Sequence, residues 1–390
     1  MDPISALLAE ELETVRGQQS GQTAQYIPSL AQAAPDQLGM AVVGPRGSVI
    51  SVGDDTTAFT IQSMSKPFVF ALALAAHGRA RMLAQVGVEP SGEPFNAISL
   101  EPNTGRPANP LVNAGAIATT GMIPGDSSAT RDALILDGLS RFAGRDLVVD
   151  EKVYESESET GDRNRALAFL LRSHGVIGPD PQAVVESYFR QCSIVVTVQD
   201  VAVMAATLAF GGRNPVTGEQ VVSSDIARDV VSVMTSCGMY DFSGEWMLRV
   251  GMPAKSGVSG GILAVSPSQF GVGVFSPRLD QHGNSVRGIS LLEKLSDDYG
   301  MHQFDHHESI AHPGISLSRD SNGPRVHLGG ELALSGMERI MHVLREFLDE
   351  IAPDESVTLD ARELAQRHPA AVLVLRAEVE RLGERVALLE

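Results

Sequence analysis

The stretch Gln62-Ser63-Met64-Ser65-Lys66-Pro67, running into the apolar segment FVFALALAA (68–76), decides how this chain folds. Residues three apart share a helix face, so the Ser63 hydroxyl and the Lys66 amine can meet. Proline is tolerated only in a helix's first turn, so Pro67 pins the helix start near Ser63 and puts that serine in the positive field of the helix N-terminus. As the residue before proline, Lys66 is pushed away from helical backbone angles. A segment apolar nearly all round predicts a helix buried between two layers.

Working outward, LGMAVV (38–43), the turn Gly44-Pro45-Arg46-Gly47 and SVISVG (48–53) predict a β-hairpin, with Phe59-Thr60-Ile61 a further short strand. The first ~25 residues read as a helix with an acidic exposed face. Helical periodicity recurs over Arg165–His174 and Asp200–Phe210, and β character returns in GGILAVSP (260–267) and FGVGVFSP (270–277), followed by a helix near Ile289–Asp298. Strands at both ends with helices between predict one α/β catalytic domain over 1–305. Its sheet is built from both termini, with an inserted helical subdomain. Residues 306–323 lack periodicity and read as a linker. RVHLGGEL (325–332), a helix with Ile340, Val343, Leu344 and Leu348 on one face, ESVTLDA (355–361), a helix over Ala370–Leu382 and the closing VALLE predict a small α/β domain over 324–390.

With 43% hydrophobic and 20% charged residues the composition is globular, and no apolar stretch approaches the ~20 residues of a membrane span. The acidic, amphipathic start is not a secretory signal, and two cysteines, Cys192 and Cys237, make no disulfide framework; the expected compartment is the cytoplasm. A net charge of −18 excludes a nucleic-acid backbone as partner. Arginine supplies 26 of the 30 positive charges, leaving Lys66, Lys152, Lys255 and Lys294. In a chain that uses arginine wherever a cation suffices, a retained lysine points to an amine that must lose its proton.

A serine nucleophile needs a base, and a lysine at its ordinary pKa of ~10.4 costs about 4–5 kcal/mol to neutralise at pH 7. Burial and a second cation lower that cost; the apolar helix provides the first, and Lys255 in Ala254-Lys255-Ser256-Gly257 is placed to provide the second. A Lys-Ser-Gly at the edge of a predicted strand, far downstream of Ser-x-x-Lys, is the pattern of one class of serine hydrolases.

Five segments carry a family resemblance: the one quoted first, Asn109-Pro110-Leu111-Val112-Asn113-Ala114-Gly115-Ala116-Ile117, SESETGDRN (156–164), SCGMYDFSG (236–244) and PAKSGV (253–258). They closely resemble the serine-dependent glutaminases of the β-lactamase-like superfamily, in order and without large gaps from about Tyr26 to Asp305. The resemblance implies hydrolysis of L-glutamine to L-glutamate and ammonia, with Ser63 as nucleophile and Lys66 as proton acceptor, assisted by Tyr240. It further implies an oxyanion hole from the N–H groups of Ser63 and Val258, and substrate held by Tyr26, Asn113, Glu157, Asn164 and Tyr188. The residue types suit a zwitterionic amino acid: one buried carboxylate for its ammonium, neutral donors for its carboxylate. No metal or organic cofactor is needed, and a homo-oligomer (dimer or tetramer) is expected. Glu159, Asp162 and Arg163 are expected in a structural ion-pair network, and by residue type alone Asn113 reads as a helix cap. The C-terminal segment resembles, in pattern, the STAS (sulfate transporter/anti-sigma-factor antagonist) domain. The region 366–370 lacks the serine of its phosphorylated versions, which leaves protein docking or dimerisation as the expected role. Two rival functions share these features: a β-lactam-reactive serine hydrolase, and a catalytically silent amino-acid sensor signalling through the C-terminal domain.

Overall fold

The computed structural model describes residues 3–390 except 94–96, 99, 126, 306–313 and 321–322. Two compact units divide the chain: Glu11–Leu292, and Met1–Glu10 with Glu293–Glu390. In the larger unit, β1 (Gly39–Val43) and β2 (Val49–Gly53) form the expected hairpin, and β6 (Ala254–Ser256), β7 (Gly261–Ser266) and β8 (Phe270–Phe275) form the downstream meander. They join antiparallel in the order β2-β1-β8-β7-β6, so β1 pairs β8 across more than 200 residues of chain, and the sheet is built from both ends of the unit. All residues of β7 and β8 are buried, which explains their unbroken apolar reading.

The helix Val198–Ala209 lies directly on this sheet and is buried at every position except Gln199. Its start is fixed by a capping box: the Thr197 hydroxyl accepts from Asp200 N–H, and the Asp200 carboxylate accepts from Thr197 N–H at 2.7 Å. Close packing is possible because FGVGVF offers no side chain at Gly271, where a Cβ would stand 2.0 Å from Ala206 N and 2.3 Å from Ala202 O. Backbone atoms of a packed helix cannot step aside, so Gly271→Ala is expected to cost about 3 kcal/mol, read as a lowered denaturation midpoint without a change in m-value.

Between β3 (Phe59–Thr60) and β6, the helices Asn113–Gly121, Asp162–Ser173 and Pro181–Cys192 share a core of their own and form the inserted subdomain. In the same stretch of chain, β3 pairs with β5 (Ile194–Val196), which pairs in turn with β4 (Val148–Val149), a small sheet not foreseen as one unit. The first helix is shorter than expected, ending at Arg16, because Gln22 is drawn into a backbone bridge with Leu279. No helix among the described residues is long and apolar enough to cross a membrane.

The C-terminal unit contains β9 (Gly314–Asp320), β10 (Gly323–Leu332), β11 (Val357–Arg367) and β12 (Val386–Leu389), in the order β12-β11-β10-β9, with helices Leu334–Glu350 and Pro369–Leu382. Part of the expected linker 306–323 is thus a strand. Gly314–Asp320 pairs antiparallel with β10, and pairing with a neighbour supplies what its polar sequence does not signal. Residues 306–313 and 321–322 of that stretch lie outside the described residues.

Candidate active site

The segment opening the buried helix takes a sharper path than a plain helix start. Gln62–Ser65 is a 3-10 turn and the α-helix begins at Lys66, whose angles (φ −57°, ψ −46°) are helical despite the following proline. Gln62 has φ +51°, a left-handed conformation that costs a non-glycine residue about 1–3 kcal/mol. Tyr240 is held the same way at φ +58°. Gly257, after β6, packs on this turn: a Cβ there would press on Ile61 O at 3.0 Å, so the downstream Lys-Ser-Gly-Val is brought against Ser63 through a residue with no side chain.

Beside Ser63 lies a cavity of about 300 Å³ lined by Tyr26, Ser63, Asn113, Glu157, Asn164, Tyr188 and Val258. Residues 26, 63, 113, 157, 164, 188 and 258 come from well-separated segments, and the fold alone gathers them. Lys66 is wholly buried against this wall; its ammonium donates to Asn113 Oδ1 at 2.7 Å and to Leu111 O at 3.2 Å. Its hydrogen bonds go to these groups and not to Ser63. Asn113 passes the contact on, donating from Nδ2 to Asn164 Oδ1 at 3.0 Å and accepting from Tyr188 OH at 3.4 Å. It is therefore not a helix cap; the neighbouring Asn109 side chain satisfies the N–H groups of Leu111 and Val112 instead.

Burial pushes the Lys66 amine down to about 8. At that value neutralisation at pH 7 costs about 1.4 kcal/mol, against nearly 5 for an ordinary lysine. Lys255 is also completely buried, and burial, with Lys66 adding, holds it well below the lysine range. Its Nζ donates to Ser256 O at 2.9 Å and stands 3.8 Å from the Tyr240 ring centroid. Tyr240 bridges the two lysines, its ring centroid 5.6 Å from Lys66 Nζ. Burial raises its phenol, and the Ser63 side chain pulls the other way.

Glu157 is buried in the cavity wall, and its Oε1 has no hydrogen-bond partner among the described residues. Burial raises its carboxyl to about 7, against the opposing pull of Gln62 and Lys66. Gln62, Ile27, Thr160, Gly161 and Arg163 also line the cavity, beyond the residues expected there, together with the buried Cys192. Arg163 is exposed and also borders the cavity, while Asp162 does join a local ion-pair network, standing 3.9 Å from Arg165, which pairs with Glu186 at 2.8 Å.

The sheet assembled from both ends, the inserted helices and the buried Ser-Lys-Tyr cluster beneath a small polar cavity agree with the β-lactamase-like class of α/β enzymes. A family profile described as Glutaminase matches residues 21–304. The chain is 54% identical over 303 residues to Glutaminase 1 of Bradyrhizobium diazoefficiens, covering 78% of this chain and 49% of that one. It is 42% identical over 384 residues to the glutaminase of Corynebacterium glutamicum, covering 98% and 92%. The chain thus spans about half the length of the Bradyrhizobium relative and nearly all of the Corynebacterium one. Among solved structures it is similar to Mglu in its glutamate form, with a TM-score of 0.77 at 38% identity over 100% of this chain and 99% of that one. The probable glutaminase ybaS gives 0.76 at 38% over 78% and 98%. This chain belongs to the glutaminase family.

Proposed function

We propose that this chain hydrolyses the side-chain amide of L-glutamine to L-glutamate and ammonia through an acyl-enzyme on Ser63. The observation that carries the reading is the buried, unpartnered Oε1 of Glu157 in the same small cavity as Ser63. An uncompensated buried acceptor is costly, and an α-ammonium group is the partner that satisfies it. Asn164, Tyr188 and Tyr26 are polar groups of the same wall suited to the α-carboxylate. With both ends of the amino acid held, the γ-amide is directed at Ser63.

The Ser63 hydroxyl attacks the amide carbon, and its proton passes through Tyr240 toward Lys66, whose lowered basicity lets it be neutral at modest cost. Lys255, its amine 3.8 Å from the Tyr240 ring centroid, favours phenolate character during transfer in the fraction of molecules in which that amine is protonated. The N–H groups of Ser63 and Val258 receive the developing oxyanion. The proton then goes to the amide nitrogen, ammonia leaves, and water repeats the sequence on the ester.

Glu157→Gln tests the binding role. Removing the charge opposite the ammonium is expected to raise KM for glutamine about 100-fold, or about 2.7 kcal/mol, with kcat much less affected. A carboxyl near 7 gains its charge as pH rises, so wild-type KM should fall between pH 6 and 8, and the variant should lose that slope. An unchanged KM would remove Glu157 from the site. For the C-terminal unit, the four-stranded mixed sheet with two helices supports a STAS-like interaction module.

A further inference from the structure

Behind the catalytic turn runs a chain of polar side chains that the mechanism above does not use. Thr120, Gln191, Ser65 and Gln62 are all buried. The Thr120 hydroxyl stands 2.8 Å from Gln191 Oε1 and 2.9 Å from Ala116 O, and shares its proton between them. Gln191 Nε2 donates to Ser65 Oγ at 3.1 Å, and the Ser65 hydroxyl donates to Gln62 O at 2.7 Å. The donors all point one way, from the helix Asn113–Gly121 through the end of the helix Pro181–Cys192 into the 3-10 turn. Among the described residues Gln191 is not part of the catalytic cavity's lining. It borders a separate recess of about 190 Å³ with Ile135, Leu136, Val149 and Ile194.

The chain ends on the strained residue. At φ +51° Gln62 is held against its backbone preference, a state that persists only where the surroundings over-determine it. Residues 191–194 grip it from both sides: Ile61 N–H donates to Ile194 O at 2.8 Å, and Gln191, through Ser65, reaches Gln62 O. The Gln62 carbonyl is bonded to the nitrogen of Ser63, so the tilt of that peptide sets where Ser63 N–H and Oγ stand. With the Gln191 amide donating to the Ser65 oxygen, the Ser65 proton is left aimed at Gln62 O. The same two helices carry groups of the cavity wall. Tyr188 stands three residues before Gln191 and Asn113 seven before Thr120, so each shares a helix face with its partner in the chain. Gln191 thus keys the wall that holds the substrate to the turn that carries the nucleophile.

We propose that Gln191 is a positioning residue for acylation of Ser63: acting through Ser65, it holds the Gln62–Ser63 peptide in the orientation that aims Ser63 Oγ at the amide carbon. It touches neither the substrate nor the reacting atoms, and the inference rests on the amide-hydrolysis reading above.

The test measures glutamine turnover by the full chain, per folded molecule and below the lowest thermal midpoint, in Gln191→Met, Ser65→Ala and the double variant. Methionine keeps the length of the side chain and suits the apolar recess beside it, so Gln191→Met is expected to fold with a lowered midpoint. Its kcat should fall about 30-fold while KM stays within about threefold, because Glu157 and Asn164 are untouched. Ser65→Ala removes one buried oxygen atom, should show the same split, and stands in if the methionine variant folds poorly. The double variant should have a kcat within about twofold of the lower single variant, since the two residues act as one unit. A folded Gln191→Met or Ser65→Ala protein with kcat within about twofold of wild type overturns the proposal, leaving the chain a stability role alone. Two losses that multiply in the double variant also overturn it, because Gln191 then acts by a route other than Ser65. A wild type that turns over no glutamine overturns the amidase reading, and the positioning role with it.

Discussion

Ser63→Ala is expected to lower ammonia release from L-glutamine by at least about 10⁴-fold, equivalent to about 5.5 kcal/mol of transition-state stabilisation. The substitution removes one oxygen atom. The 3-10 turn, the burial of Lys66 and the cavity wall are formed by other groups, so the thermal midpoint should stay within a few degrees of wild type. Calorimetry on the variant should still detect glutamine, because Glu157 and Asn164 are untouched. That pair of readings separates the rival functions. A silent sensor would bind glutamine with no turnover in the wild type either, and a β-lactam-reactive hydrolase would acylate with a β-lactam reporter in a Ser63-dependent way while ignoring glutamine. Turnover retained by a folded Ser63→Ala protein would remove the acyl-enzyme from the mechanism.

Lys66 is expected to matter as much. Lys66→Met keeps the length of the buried stem and removes the amine. The result should be a loss of the same order as for Ser63→Ala, with the double variant little worse than either, since the two groups act as one unit. Because the ammonium also bonds Asn113 Oδ1 and Leu111 O, part of that loss could arise from a loosened cavity wall. Lys66→Arg separates the effects: a guanidinium can still donate to those oxygens but does not give up its proton in the working pH range. An arginine variant that binds glutamine yet turns it over at the level of Lys66→Met identifies proton transfer as the lost step. The sign of the pH dependence follows from burial. With the amine lowered to about 8, about a tenth of the enzyme carries it neutral at pH 7, so kcat should rise with pH and level off above about 8. A flat profile across that range would place the proton acceptor elsewhere.

Features legible in the sequence are those set by short-range rules. The spacing of Ser63 and Lys66, the Gly44–Gly47 turn between two β-branched runs, and the all-apolar helix each depend on residues within one turn or one strand pair. The rule that steers a pre-proline residue from helical angles was overridden at Lys66, which burial and two hydrogen bonds hold in place. The polar strand Gly314–Asp320 was invisible for the converse reason, since its pairing partner and not its composition makes it a strand.

The site divides along the same line. Residue types such as a serine, a lysine, a glutamate and several amides and phenols are visible in the chain, but their convergence is not. Asn113 reads as a cap until Lys66, 47 residues away, is seen donating to it, and Arg163 reads as part of an ion-pair network with no local signal that it also borders the cavity. The sequence by itself determined the chemical groups available and the local turns that present them. Only the tertiary structure decided which groups lose water, and desolvation is what brings a lysine down to about 8, raises a glutamate to about 7 and leaves a carboxylate oxygen waiting for a cation.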